Sequence, residues 1–289
     1  MVRDRVRGVA IGLHVGLYLY GRPGTGKTRT VLTTLADAEA RCHYHRGHAT
    51  PMGLFDLLAE HHRSVIVLDD VAGLLTQNVA VQLLLAALGH GDGFGTRVVK
   101  YQRQGRRETV HFEGRLICVS NPPIRETPLL QTLKSRMHCL EFNPSDDELA
   151  ALMRQIACAG WPADKPILPP ATCVEVAEFV IEESRRLGCR LDLRALVEKA
   201  LPDRAQFDAG QTECHWRDLV VSMLQQRAMD LRHPLRCNGQ IRQPRKEAEC
   251  QVVQDILATY LTRSEQLAAW RKKTGKSERA FYRRLSEIE

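Results

Sequence analysis

Gly21-Arg22-Pro23-Gly24-Thr25-Gly26-Lys27-Thr28 is the stretch that decides the fold, and it is entered from an apolar run, Leu13 to Tyr20. It satisfies G-x-x-x-x-G-K-[S/T], the phosphate-binding loop. Glycines let successive backbone N–H groups turn inward around phosphate oxygens. Lys27 can then reach the β- and γ-phosphates, and the Thr28 hydroxyl can hold Mg²⁺. The anion sits on the N-terminus of a helix that begins near Thr28. Both flanks suit the loop. The apolar run ends directly in it, and Val31, Leu32 and Leu35 recur at helical spacing within Thr28–Ala40. Arg3, Arg5 and Arg7 followed by Gly8 to Tyr20 have the composition of a secretory leader. Cleavage there would remove the strand that positions the loop, so the run reads as the first β-strand.

Outward from the loop, Thr50-Pro51 opens a helix through Leu58, with Thr50 as N-cap and Pro51 at the first helical position. Ser64-Val65-Ile66-Val67-Leu68-Asp69-Asp70 is an apolar run with the length of a strand buried on both faces. Its carboxylates fall at the C-terminal end, where ligands bind in an open α/β sheet. This is the Walker B pattern. Asp69 is the expected Mg²⁺ ligand, and Asp70 stands where many such ATPases carry a Glu that orients the attacking water. A second buried strand, Leu116 to Ser120, ends at Asn121, which can hydrogen-bond that water or the γ-phosphate. Before it, Thr96–Tyr101 and Arg107–Phe112 read as a hairpin carrying Lys100, Arg103, Arg106 and Arg107. Leu133-Lys134-Ser135-Arg136 closes a short helix ahead of the strand His138–Phe142.

The order of phosphate loop, Asp69-Asp70, Ser120-Asn121 and Ser135-Arg136 resembles the AAA+ ATPase family. That resemblance implies ATP and Mg²⁺ as cofactors and an α/β, P-loop parallel-sheet three-layer core over residues 1–144. It makes Asp70, Asn121 (sensor 1) and Arg136 (arginine finger) the catalytic set. Gly21, Pro23, Gly24, Thr25, Gly26, Lys27 and Thr28 would bind the nucleotide, and Thr28 and Asp69 the metal. Ser135-Arg136-Met137 is similar to the S-R-C signature of clamp-loader subunits, with Met137 in place of the cysteine. The hairpin resembles the pre-sensor-1 hairpin of AAA+ helicases and translocases. Family members usually form rings, because each finger completes a neighbour's site, so a homo-oligomer is implied. Arg136 read without the resemblance is a surface ion pair, and the hairpin a solvated turn.

Ser145-x-x-Glu148 is a capping box, and the chain from 145 to 226 reads as helices without a strand. This is similar to the all-α lid that follows AAA+ cores. Arg194 matches the sensor 2 position best, with Arg190 as competitor. Residues 227–245 contain Pro234, Gly239 and Pro244 among arginines and read as a basic linker. The module 246–289 has helical periodicity broken at Thr274-Gly275-Lys276-Ser277. Its last helix presents Arg279, Arg283 and Arg284 around Phe281, Tyr282 and Leu285. The string resembles the turn and recognition helix of helix-turn-helix DNA-binding domains, although Arg271 stands where a small residue is usual. Lys276, Arg279, Arg283, Arg284 and the hairpin's Arg103, Arg106 and Arg107 are the candidate DNA contacts. An amphipathic, partner-binding helix pair is the competing reading.

The charge points to a polyanionic partner at that end, although charge read alone favours a solvated charged tail. The net charge is +7 over 289 residues, and residues 227–289 hold 14 Lys/Arg against 8 Asp/Glu. Nine cysteines occur without C-x-x-C pairs or zinc-finger spacing, which fits a reducing cytoplasm. Cys42, His43, His45 and His48 form the one cluster that invites a metal reading, against their placement on a strand beside a loop. No run is long enough to span a membrane. Together with the resemblance, these features lead to an oligomeric ATPase that remodels DNA, is loaded on it, or acts on a protein bound to it, in a replication, recombination or mobile-element role. The alternative is a nucleotide-gated DNA-binding regulator in which hydrolysis is incidental.

Overall fold

A computed structural model describes residues 1–91, 95–103, 106–162, 167–232, 252–253, 256–257, 260 and 262–285. The chain divides into two compact units, Met1–Gln225 and Gln226–Glu289.

The first unit is built on five parallel strands: β1 (Gly16–Tyr20), β2 (Cys42–Arg46), β3 (Val65–Asp69), β6 (Arg115–Ser120) and β7 (His138–Glu141). They lie side by side in the order β2-β3-β6-β1-β7. The three central strands are buried along nearly their whole length, whereas β2 alternates exposed and half-buried residues as an edge strand should. Alternate residues of the central strands feed opposite cores. Tyr18, Ile66, Leu68, Leu116 and Cys118 pack under α3 (Pro51–Glu60), α4 (Asn78–Ala87) and α5 (Pro128–Arg136). Leu17, Leu19, Val65, Val67, Ile117 and Val119 pack under α1 (Val2–Ala10) and α2 (Lys27–Asp37). The result is three layers with the sheet between helices.

The amino-terminal expectation needs correction. Residues 8–20 are not one strand: α1 occupies residues 2–10, and the strand is confined to residues 16–20. Val2, Val6 and Val9 recur at helical spacing and cover the sheet face that holds Leu17 and Leu19. The chain then reverses through Gly12, whose φ of +82° is open to glycine.

The strands β4 (Arg97–Arg103) and β5 (Arg106–Phe112) form a separate antiparallel hairpin between α4 and β6. Its base is fastened by Arg97, only 2% exposed, which donates to the carbonyls of Phe112 and Gly114. Burial pushes the Arg97 guanidinium down to about 10, helped by the nearby charge of Arg115.

The remaining helices of this unit share one apolar core that includes Leu149, Val176, Val180, Leu196, Trp216 and Val220. They are α6 (Asp146–Ala157), α7 (Pro170–Arg186), a π-helical turn at Ala195–Ala200 running into α8 (Leu201–Asp208), and the part of α9 (Trp216–Arg232) up to Gln225. The capping box at α6 forms as expected: Ser145 accepts from the Glu148 N–H, and the Glu148 carboxylate accepts from the Ser145 N–H.

In the second unit, α10 (Arg263–Thr274) and α11 (Glu278–Leu285) pack Trp270, Phe281 and Leu285 with Val253 and Ile256. Gly275 ends α10 with φ +67°, the left-handed conformation expected of it. Most of the linker expected over 227–245 lies outside the described residues.

Candidate nucleotide site

Parallel pairing brings the C-terminal ends of four strands to one edge. Tyr20 stands opposite Ser120, Arg46 opposite Asp69, and Asp69 opposite Val119. The loop after β1 follows Tyr20 there and passes into α2. Gly24 and Gly26 adopt φ +72° and +88°, conformations that turn backbone N–H groups toward one side. Gly21 N–H donates to the Asn121 carbonyl, and the buried Thr25 hydroxyl donates to the Arg22 carbonyl. Pro23 is exposed at the loop's tip.

Lys27 is the electrostatic centre of this edge. It is 6% exposed, and its ammonium donates to the carbonyls of Gly21 (2.8 Å) and Arg22 (2.7 Å) and to Asn121 Oδ1 (3.1 Å). All three partners are neutral. Burial lowers its pKa, while Asp69 and Asp70 pull it back up. A buried cation held by neutral acceptors is a site short of an anion.

The acidic side follows from β3. Thr28 Oγ1 donates to Asp69 Oδ2 at 2.9 Å, and the Asp70 N–H donates to Asp69 Oδ1 at 3.1 Å. Asp70 takes φ +61°, so the chain turns sharply after the strand and the exposed Asp70 lines the same cavity. That cavity, about 270 Å³, is also lined by Gly24, Gly26, Lys27, Thr28, Asp69 and Asn121. An oxygen-only pair, Thr28 and Asp69, suits a hard cation such as Mg²⁺, which takes few protein ligands and fills its shell with water and phosphate oxygens. The donor set therefore fits a magnesium–nucleotide group.

The helical part of this unit closes over the loop. Leu193 N–H donates to the Gly24 carbonyl at 2.9 Å, and the Asp192 carboxylate lies so close that any side chain at position 24 would collide with it. Arg194 lines the cavity and sits 3.9 Å from Glu198. Arg190 instead faces Asp146 at 3.7 Å. Arg136 is away from the cavity of its own chain: it donates to the Leu85 carbonyl at 2.5 Å, at the end of α4.

Four contributors escaped sequence reasoning: Tyr44 and Arg46 on β2, and Asp192 and Leu193 above the loop. Tyr44 and Arg46 both line the cavity, and Tyr44 donates to Asp69 Oδ2 at 2.8 Å. Their signal was the two-residue alternation of β2, which places 44 and 46 on one side. The sequence drew attention to the neighbouring Cys42, His43, His45 and His48 instead. Among the described residues, no group of three His, Cys, Asp or Glu side chains is placed to hold a metal. His43 stacks on His61 at 3.6 Å.

Of the candidate DNA contacts, Lys276 lies in the turn between α10 and α11, and Arg279 and Arg283 are exposed on α11. Arg284 lies on α11, and Arg103, Arg106 and Arg107 lie at the hairpin tip; the side chains of all four are outside the described residues. Among the described residues, no helix is long and apolar enough to cross a membrane.

The fold is an α/β core with a phosphate loop after its first strand, followed by helices. Neither a protein-family model nor a curated protein matches the chain. Solved structures of three point mutants of Thermotoga maritima RuvB do align with it. One is 15% identical with a TM-score of 0.47, covering 96% of this chain and 81% of the other. The other two are each 16% identical with TM-scores of 0.43 and 0.45, covering 96% of this chain and 80% of theirs.

Proposed function

We propose that this chain is an ATPase that works as an oligomer and couples hydrolysis of Mg²⁺-ATP to remodelling or loading on DNA. The observation that carries the reading is Lys27, a buried ammonium whose hydrogen bonds all go to neutral oxygens at the mouth of a phosphate loop. The β- and γ-phosphates supply the missing anion. Thr28 and Asp69 hold the cation, which neutralises developing phosphate charge. Asp70 orients the attacking water and Asn121 the γ-phosphate. Arg194 contributes from the helical lid, and Arg136 acts on the site of a neighbouring copy. The base is proposed to sit beside the loop in a second cavity of about 770 Å³, lined by Val2, Thr25, Thr30, Phe142, Leu149 and Leu152 among others. The basic C-terminal module, 246–289, supplies the DNA contact, and a protein on the DNA is a further partner. A cytoplasmic site of action suits this partner.

ATPase rates of wild type, Lys27→Ala and Asp69→Ala, with and without single- and double-stranded DNA, test this reading alongside native mass with and without ATP. Hydrolysis lost in both variants and stimulated by DNA in the wild type is the expected result. Near wild-type turnover in both variants would sink it. The short side chain of Asp70, where a Glu is usual, favours a second reading: a nucleotide-gated DNA-binding regulator. Full function in a slowly hydrolysed ATP analogue would select that reading, since a motor stalls there.

A further inference from the structure

The Asp69 carboxylate is held by more donors than the two motifs account for. Thr28 Oγ1 and the Asp70 N–H are the expected ones, on Oδ2 and Oδ1. A third comes from outside both motifs: the Tyr44 phenol donates to Oδ2 at 2.8 Å. Tyr44 reaches it from β2, the neighbouring edge strand, whose register sets Tyr44 opposite Val67 and Arg46 opposite Asp69. Core packing does not explain a tyrosine here. The residue is 38% exposed and belongs to neither apolar core of the sheet. What the side chain does in the structure is hold Asp69.

We infer that Tyr44 is a positioning residue that fixes the Asp69 carboxylate for the divalent cation accompanying the nucleotide. The inference rests on the nucleotide-site reading above. A phenol bonded to an ionised carboxylate makes a charge-assisted hydrogen bond, short and directional. It removes side-chain freedom from Asp69 before the cation arrives, so less ordering remains to be done on binding. Tyr44 acts through Asp69 and leaves the phosphate contacts of Lys27 and the loop untouched. Loss of such an outer partner typically costs about 10–100-fold in metal affinity.

The test uses the full chain and Tyr44→Phe, which keeps the ring and removes only the hydroxyl. Binding of a fluorescent ATP derivative is followed across a Mg²⁺ titration and in EDTA. Mn²⁺ binding in the presence of ADP is read directly by electron paramagnetic resonance. The expected result is a Mg²⁺ midpoint raised about tenfold or more, a matching loss of Mn²⁺ affinity, and an unchanged affinity for nucleotide in EDTA. Turnover recovers toward wild type at saturating Mg²⁺. Superimposable metal curves for the two proteins overturn the role of Tyr44, as does a lowered melting temperature with no change in the metal midpoint. A wild-type chain that binds nucleotide regardless of Mg²⁺, and binds no Mn²⁺, overturns the site reading and this inference together.

Discussion

The Lys27 ammonium lies 3.1 Å from the side-chain oxygen of Asn121, tying the loop after β1 to the end of β6. These two residues reach the same point from strands that pair directly, with Tyr20 opposite Ser120. On the proposed function, Asn121 meets the γ-phosphate that Lys27 binds. Asn121→Ala removes an interaction aimed at the reacting group while leaving the loop's backbone contacts in place. The expected outcome is nucleotide affinity within a few-fold of wild type and kcat lowered by about 10²-fold or more. Equilibrium binding and single-turnover hydrolysis on the same samples check it. A large loss of affinity with unchanged kcat would assign Asn121 to ground-state binding instead.

Asp70 allows a cleaner separation. It occupies the left-handed region at φ +61°, where Asn is as well tolerated as Asp. Asp70→Asn thus removes the charge without disturbing the turn after β3. Binding of Mg²⁺-ATP should persist and hydrolysis should fall by about 10²–10⁴-fold, the range for loss of a positioned base. Unaltered turnover would remove Asp70 from the chemistry and favour the regulator reading.

How much of this was legible beforehand depended on where each signal resides. The phosphate loop and Asp69-Asp70 could be read because their chemistry demands fixed local spacing. Strands β3 and β6 could be read because burial on both faces produces an unbroken apolar run. The α1 helix was lost because its apolar positions, Val6 and Val9, merge with the run that leads into β1, and only the turn at Gly12 separates them. The alternation of β2 sets Tyr44 and Arg46 on one side, but it could not name Tyr44's partner, which lies 25 residues away on a neighbouring strand whose register no local pattern encodes. The contest between Arg190 and Arg194 likewise turned on tertiary geometry. The Leu193–Gly24 hydrogen bond brings the segment just before Arg194 onto the loop, while Arg190 faces Asp146.

Tyr18 and Cys118 set an alkaline limit on the core. Both are about 1% exposed on β1 and β6, paired in register. Burial pushes each of their pKa values up to about 12, from 10.0 for the phenol and 9.0 for the thiol. Both folded-state values exceed the unfolded ones, so the folded chain holds these protons more tightly. That stabilisation is fully present below pH 9 and is lost as the pH rises through the window to about 12. Denaturant melts at stepped pH should show stability falling across this range. Tyr18→Phe should flatten part of the fall and, by removing the donor to the Pro122 carbonyl, cost about 1 kcal/mol at neutral pH.

Arg136 has a contact within its own chain and a proposed role toward a neighbouring copy, which one substitution would confuse. Its guanidinium donates to Leu85 at the carboxyl end of α4, where a cation also suits the helix dipole. Arg136→Ala should therefore lower stability by about 1 kcal/mol whatever it does to catalysis. As a finger acting on a neighbour, it should also lower turnover by about 10³-fold or more. Mixing separates the effects. An Arg136→Ala copy keeps Lys27, and a Lys27→Ala copy keeps Arg136, so a mixed oligomer contains intact composite sites. Activity should rise on mixing two preparations that are each inactive. Failure to rise, in an oligomer shown by native mass to have exchanged subunits, would leave Arg136 with the helix cap alone.

The C-terminal unit makes a prediction that does not depend on hydrolysis. Trp270 and Phe281 are fully buried against each other, and this packing leaves Arg279, Tyr282 and Arg283 exposed on α11. If that face meets DNA, its arginines neutralise phosphates, and each contact contributes about 0.9 to the slope of log affinity against log salt on duplex DNA. Arg279→Ala with Arg283→Ala should weaken binding and reduce the slope by about 2. ATPase activity without DNA should stay unchanged, because neither residue lines the nucleotide cavity. Salt titrations by fluorescence anisotropy give the slope, and the circular dichroism of the variant shows whether α10 and α11 persist. A folded variant with an unaltered slope would move the DNA contact away from α11. The partner-binding helix pair would then be the better description of this unit.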